Sequence, residues 1–443
     1  MIGPPPRYLK NLSGVIVILT AWVCPVFSSG DIPPVYQKTM GGELEAQINP
    51  GIASDRGHGN LQDDRRAAKW YRKAAEQRYA SAQYNLGGSS KTGLGVPHDY
   101  AEAARWYRNA AEEGDADAQY NLGGLCNAGR GVPENHAGAV KWYRKAAEQG
   151  HAGARYHLGV SYYNGHGIRQ DPAEAVKWYR MAAEQGHADA QYYLGIAYDQ
   201  GKGVPQDNRE AVSWYLKAAE QKHVGAQMRL GVAYRLGQGV LQDYAESMKW
   251  YRKAADQGDA ESQFTLGYAY TKGEGVPQEY AEALMWYRKA AKQGHTGAQN
   301  NLGVAYAYSR GVPKDYAEAL KWYREAAEQG YFGSQFNLGV AYDKGRGVPQ
   351  NYAEAMVWYR KAAEQGLARA QFNLGVMYYK GRGIPKDNYL PYFWYSLSAS
   401  MSTGEEHDRS AETRDRIAME LTPEQLSDAN QMIREWEERH PRN

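Results

Sequence analysis

Cysteine is nearly absent. Cys24 and Cys126 are the only two in 443 residues, so a disulfide-stapled scaffold is excluded. Cys126, alone in the body of the chain, is expected to behave as a small hydrophobe. An excess of one charge is also missing. The 52 basic and 50 acidic residues leave a formal net charge of +2, and that balance removes the electrostatic case for a nucleic-acid partner. There is no long apolar run either. The longest, at 15–23, is shorter than the roughly 20 apolar residues that a membrane span requires. No Ser-x-x-Lys, His-Glu-x-x-His or Gly-x-Ser-x-Gly motif occurs, and no phosphate loop. Gly-x-Gly pairs such as Gly201-Lys202-Gly203 lack the third glycine of a dinucleotide cradle. No cofactor is expected.

What the chain has is a beat. Trp-Tyr falls at Trp70-Tyr71, Trp106-Tyr107, Trp142-Tyr143, Trp178-Tyr179 and Trp214-Tyr215. It continues at Trp250-Tyr251, Trp286-Tyr287, Trp322-Tyr323, Trp358-Tyr359 and Trp394-Tyr395, always at 36-residue spacing. A fixed period of this size is the mark of a repeat solenoid. The frame runs over 44–403, with a damaged unit at 44–79 and a diverging one at 368–403. Pro50 stands where later units have Leu, so the first helix of 44–79 is expected to be broken. A second helix around 63–77 should survive.

Unit 332–367 shows the grammar. Residues 334–342 read as a first helix, with Leu338 and Tyr342 on one face. Gly345-Arg346-Gly347 stops it, since glycine takes the left-handed conformation past a helix end at no steric cost. Asn351, followed three residues later by Glu354, has the spacing of a capping box for a second helix. In unit 152–187 Pro172 follows Asp171 and pins the cap there. The second helix carries the Trp among Ala355, Ala362 and Ala363, small residues that let helices approach, so the Trp-Tyr stripe reads as core rather than as a row of stacking platforms. In the last unit Pro391 should fall in the first turn of a delayed helix. Beyond Gly404, a charged helix over 405–420 and a final one opened by Thr422-Pro423-Glu424-Gln425 read as the polar cap that a stack needs.

The ends differ. Arg7 and Lys10, the apolar run and the small residues Ser28, Ser29 and Gly30 read as a signal peptide over 1–28, which implies export to the periplasm or outside. The alternative is an uncleaved anchor, the only membrane contact this chain would make. Pro33, Pro34, Gly41 and Gly42 make 29–43 a linker. Capping helices occupy 404–443.

These residues resemble a known family. Leu266-Gly267, Tyr270, Gly273, Gly275-Val276-Pro277, Trp286-Tyr287 and Ala290-Ala291, recurring through the array, are similar to the Sel1-like repeat, a relative of the tetratricopeptide repeat. The resemblance implies an all-α, right-handed α/α superhelical solenoid of helical hairpins. It also implies a non-enzymatic scaffold for protein–protein interaction. A cysteine-rich branch of the family is linked to β-lactam binding or hydrolysis, but its paired cysteines are missing here.

Two patterns invite chemistry. His151, His187, His223 and His295 share one repeat position. A metal ladder would need ligands about 2 Å from one ion, whereas neighbouring units lie about 10 Å apart. No metal is therefore expected, and an imidazole favoured by a helix C-terminus is the simpler reading. The second pattern is the face of the first helices, where units stop agreeing with one another. Tyr120, Tyr156, Tyr192, Tyr193, Arg229, Phe264, Phe336 and Phe372 lie on or beside that stripe, which the resemblance places toward the concave side. An aromatic and mixed polar groove suits a protein or peptide partner. The competing readings are a β-lactam-hydrolysing enzyme and an envelope component that binds polysaccharide.

Overall fold

A computed structural model describes residues 61–387 and 389–440. The signal-peptide, linker and Pro50 expectations lie outside the described residues. Those residues form helices only, 21 of them. The chain divides into two compact units at Trp106 and Tyr107. The first contains Leu61–Glu76 and Ala80–Thr92, with Tyr71, Ala74, Ala75, Ala82 and Leu86 as its core. The second is a stack of hairpins. From His136–Glu148 onward each second helix packs on its own partner and on the first helix that follows it. The array is thus a solenoid of 36-residue helical hairpins.

Local structure follows the grammar with two corrections. Unit 332–367 consists of Phe332–Lys344 and Tyr352–Glu364. Gly345 has φ 65° and closes the first helix, its N–H donating to the Ala341 carbonyl. Asn351 caps the second helix, its side chain accepting from the Glu354 amide. The expected capping box is not reciprocal, however. The Asn351 N–H donates instead to the Tyr342 carbonyl, 2.9 Å away at the end of the first helix. The same bond joins Asp171 to Tyr162, Asp207 to Tyr198 and Asp315 to Tyr306. The cap residue therefore staples both helices, and the glutamate at the third position is released. Glu174 instead accepts from Lys177 and from the Trp178 indole N–H. At the C-terminus the box is complete. Thr422 and Gln425 bond each other's backbone at the start of Pro423–Arg439. The charged helix runs Glu405–Ala418, and Pro391 lies in the first turn of Tyr389–Ser400.

The second correction concerns the beat. Its tyrosine, not its tryptophan, is the constant core element. Every tyrosine of the ten pairs is at most 5% exposed. The tryptophans are buried at Trp214, Trp250, Trp286 and Trp394 and half-buried elsewhere. A lysine three residues on covers several indoles, as Lys217 does Trp214 at 3.7 Å. Each tyrosine ring needs a gap in the facing first helix. A Cβ on Gly195 would lie 2.5 Å from the Tyr215 ring, and one on Gly267 2.6 Å from Tyr287. The glycine of the Leu-Gly pair exists for this approach, although glycine inside a helix costs about 1 kcal/mol.

Buried glutamines join the repeats. Gln191 Nε2 donates to the Ala183 carbonyl of the preceding second helix at 3.0 Å. Gln221 Nε2 donates to Gln191 Oε1 at 2.8 Å and to the Gly186 carbonyl at 2.9 Å. The helix-end carbonyls of one repeat thus find donors in the next, where they would otherwise be orphaned. A second latch runs from arginine to tyrosine eighteen residues on, as in Arg144 to Tyr162 at 2.7 Å and Arg360 to Tyr378 at 2.6 Å. Apolar clusters cross the same seams, with Tyr251 and Ala255 joined to Leu266, and Ala291 to Leu302.

Adjacent glycines give a test. A Cβ on Gly123 would meet the Tyr143 ring at 2.8 Å, whereas one on Gly124 comes no nearer than 3.9 Å. Gly123→Ala should destabilise by about 1–3 kcal/mol. Gly124→Ala should be neutral or gain up to about 1 kcal/mol through helix propensity. Urea unfolding of the two variants checks this, and equal effects would show that the ring does not dictate the glycine. In the same assay Tyr179→Ala should cost about 3–5 kcal/mol, and the half-buried Trp178→Ala clearly less.

Candidate functional site

The face built by the first helices carries the side chains that differ between repeats. Its aromatic members are half-buried and lie at the seams. Tyr120 stacks on His151 with ring centroids 4.5 Å apart, Tyr156 on His187 at 5.0 Å, Tyr192 on His223 at 4.4 Å and Phe264 on His295 at 4.5 Å. One ring face is therefore already occupied by the next repeat. Tyr193 stacks on Tyr179 and tilts against Tyr156, both at 5.8 Å. Arg229 holds Asp199, Nη1 to Oδ2 3.7 Å, and its buried Nε has no protein partner.

Phe336 and Phe372 are placed together, away from the others. They line a cleft of about 210 Å³ with Arg369, Asn373, Glu406 and Arg409, where the last repeat meets the capping helix. Arg409 lies over the Phe372 ring at 4.4 Å, and Arg369 bonds Glu406 at 2.6 Å.

The histidines have a role that sequence reasoning missed. Each is the N-cap of the following first helix. Nδ1 of His151, His187, His223 and His295 accepts from the amides of Ala154, Ala190, Ala226 and Ala298, at 3.0, 3.3, 3.1 and 3.2 Å. The ring nitrogen therefore serves these helices as a cap acceptor at their N-terminus, where the sequence pattern suggests an interaction with the preceding helix's C-terminus. Nε2 meets a carboxylate at the start of the repeat that the histidine ends, Asp117 for His151 at 3.1 Å, Asp189 for His223 at 3.2 Å and Glu261 for His295 at 3.1 Å. The signal was available in that Asp115 and Asp259, ordinary caps, hold the same position. Among the described residues, no group of three or more His, Cys, Asp or Glu is placed to hold a metal ion, and no helix is long and apolar enough to cross a membrane. Cys126 is buried and unpaired, and burial raises its thiol pKa.

His157 is the outlier. It stands where Asn121, Asn301 and Asn337 stand in other repeats, stacks on Tyr143 at 5.3 Å and is flanked by Tyr120 and Tyr156. Burial, and then the charge His187 would carry, hold its pKa down to about 4. His187 is lowered as well, by burial first.

The geometry defines a class, a solenoid of helical hairpins locked by glutamine, tyrosine and cap histidine. The Sel1 repeat model matches ten successive segments, from 44–79 and 80–115 to 333–367 and 368–402. The chain belongs to the Sel1 repeat family, whose members are generally protein-interaction scaffolds. A protective antigen of uropathogenic Escherichia coli strains with an SLR fold is similar at 35% identity. The match covers 90% of this chain and 92% of that one, with a TM-score of 0.59. A Sel1 repeat protein from Oxalobacter formigenes is similar at 34% identity over 70% and 90%, with a TM-score of 0.55. Among curated proteins no match is found.

Because the folded pKa of His157 is depressed, the unfolded chain binds the proton first. Stability from this ring is full above about pH 6.5 and is lost as pH falls from there to about 4. The loss should be on the order of 1–3 kcal/mol. Urea unfolding at pH 7 and pH 4.5 should show a smaller acid loss in His157→Phe than in the parent chain. Identical losses would refute the assignment.

Proposed function

We propose that the chain is a non-catalytic scaffold that binds a protein or peptide partner along the first-helix face, on the concave side of the solenoid. One observation carries this reading. The contacts that build the stack recur from repeat to repeat, while the first-helix face changes, as in His157, Tyr193, Arg229 and Asn301 at one repeat position. A constant frame with a changing face is how a pre-organised surface acquires specificity without an ordering cost at binding. The candidate residues Tyr120, Tyr156, Tyr192 and Phe264 offer this face only their unstacked ring sides and edges. Tyr193 and Arg229 offer polar atoms.

We also propose export, through a cleaved segment over 1–28. A similar chain is a protective antigen, which supports a location accessible from outside.

The mature chain should capture a protein from extracts of its own cell. Tyr193→Ala and Arg229→Ala should weaken that capture at least about fivefold, without lowering the melting temperature enough to unfold the chain. Lys177→Ala, on the opposite helix, should leave capture unchanged. Recovery of glycan without protein would reject the reading, as would turnover of a chromogenic β-lactam above background.

A further inference from the structure

A second cleft, again of about 210 Å³, opens between the first helices of repeats 260–295 and 296–331. Tyr268, Tyr280, Thr271, Asn301, Lys272 and Arg310 contribute to its wall, and no carboxylate does. Room for it comes from Thr271, which stands where Asp199, Arg235 and Asp343 stand in other repeats. Lys272 and Arg310 are exposed, and neither has a carboxylate partner among the described residues. Two cations thus line a side-chain-sized, tyrosine-walled space whose wall holds no carboxylate.

The field extends along one edge. On the loops that follow the first helices of 296–387 the carboxylates are Asp315 and Asp387, and Asp343 stands just before one of them in the last turn of Phe332–Lys344. Asp315 and Asp387 accept from helix-start amides. Asp343 is held by Lys344 at 3.0 Å and Arg382 at 3.8 Å. Lys314, Arg346 and Lys386 are left without carboxylate partners among the described residues. Glu274 and Glu279 stand on the loop of repeat 260–295, at the N-terminal side of the cleft, so the favourable field lies on its C-terminal side. Whole-chain neutrality conceals this local asymmetry.

We propose that this cleft and loop edge recognise an acidic peptide in extended form. One carboxylate side chain sits between Lys272 and Arg310, and later ones pair with Lys314, Arg346 and Lys386. The inference rests on the partner-binding reading but assigns a different surface, the loop edge. The loops that carry these cations recur about every 10 Å, and an extended chain rises about 3.3 Å per residue, so about every third residue of the ligand should be acidic. Nucleic acid and sugar polymers fit less well because they need free ring faces. Here Tyr316 is covered by Lys314 at 4.7 Å and Arg346 at 5.9 Å, and Tyr352 by Arg382 at 5.5 Å.

The test uses the purified mature chain and a rhodamine-labelled peptide with four Glu-Gly-Ser repeats, followed by fluorescence anisotropy. Binding should weaken at least about tenfold when glutamine replaces glutamate, and again as salt rises from about 50 to 500 mM. Lys272→Gln with Arg310→Gln should weaken it by roughly the same factor at unchanged melting temperature. Lys177→Gln, on a remote helix, should have no effect. Equal affinity for the glutamate and glutamine peptides would overturn the proposal. So would unaltered binding in the double variant, or tighter binding of a single-stranded oligonucleotide or a sulfated glycan. Partner capture that survives such a result, and is lost in Tyr193→Ala, would leave the first-helix reading standing.

Discussion

The constraint on which the rest depends is the approach of a tyrosine ring to a position without a Cβ. In repeat after repeat the ring from the second helix lies where the first helix has glycine, as Tyr215 does against Gly195 and Tyr323 against Gly303. That contact fixes how closely the two helices of a hairpin lie. It also explains why a helix-weakening residue sits mid-helix beside a fully buried leucine such as Leu194 or Leu302. Close hairpins present their second helices to the next repeat at a constant distance. Only then can Gln191 reach Ala183, and Gln221 reach both Gln191 and Gly186.

Because these interactions are nearest-neighbour terms, the stack tolerates variation in one place and not in another. A change at the glutamine positions strips two repeats at once, and one at the glycine positions forces a hairpin open. A change on the first-helix face removes at most one side of a stacked ring. That asymmetry fits a frame that stays constant while its face alters. The cap histidines lie on the boundary. They close the helix of the following repeat through Nδ1, three of the four meet a carboxylate at the start of the repeat they end through Nε2, and all carry on their faces the rings that border the variable surface.

Much of this was legible without coordinates, and the reasons differ by element. Gly345, Asn351, Pro172 and the Thr422–Gln425 box act within a few residues of themselves, so spacing alone reveals them. The role of Glu354 was misread because its expected partner, the Asn351 amide, is taken by Tyr342, a bond across the loop that no local pattern contains. The Trp-Tyr pair reads as core because it recurs as a unit, and spacing cannot divide the role between the two rings. Only the facing helix shows that the ring meeting the glycine belongs to tyrosine. The glutamine contacts span 8, 30 and 35 residues, so periodicity implies a neighbour without naming the atom. The histidines were drawn toward helix-end electrostatics, although aspartate at the same position in two other repeats pointed to a cap.

The same distinction bears on the loop edge. A repeat's sequence can be read as a frame because each element is judged against its copies. Charge cannot be read that way, since whether a lysine is free depends on what its neighbours across the seam already hold. Asp315 and Arg310 lie five residues apart and would be counted as cancelling. In the structure the carboxylate accepts from Ala317 and Glu318 amides, and the guanidinium faces a cleft without an acid. Balanced composition and an uncompensated cationic edge therefore coexist. It is the helix caps, the most legible feature of the sequence, that leave those cations unpaired.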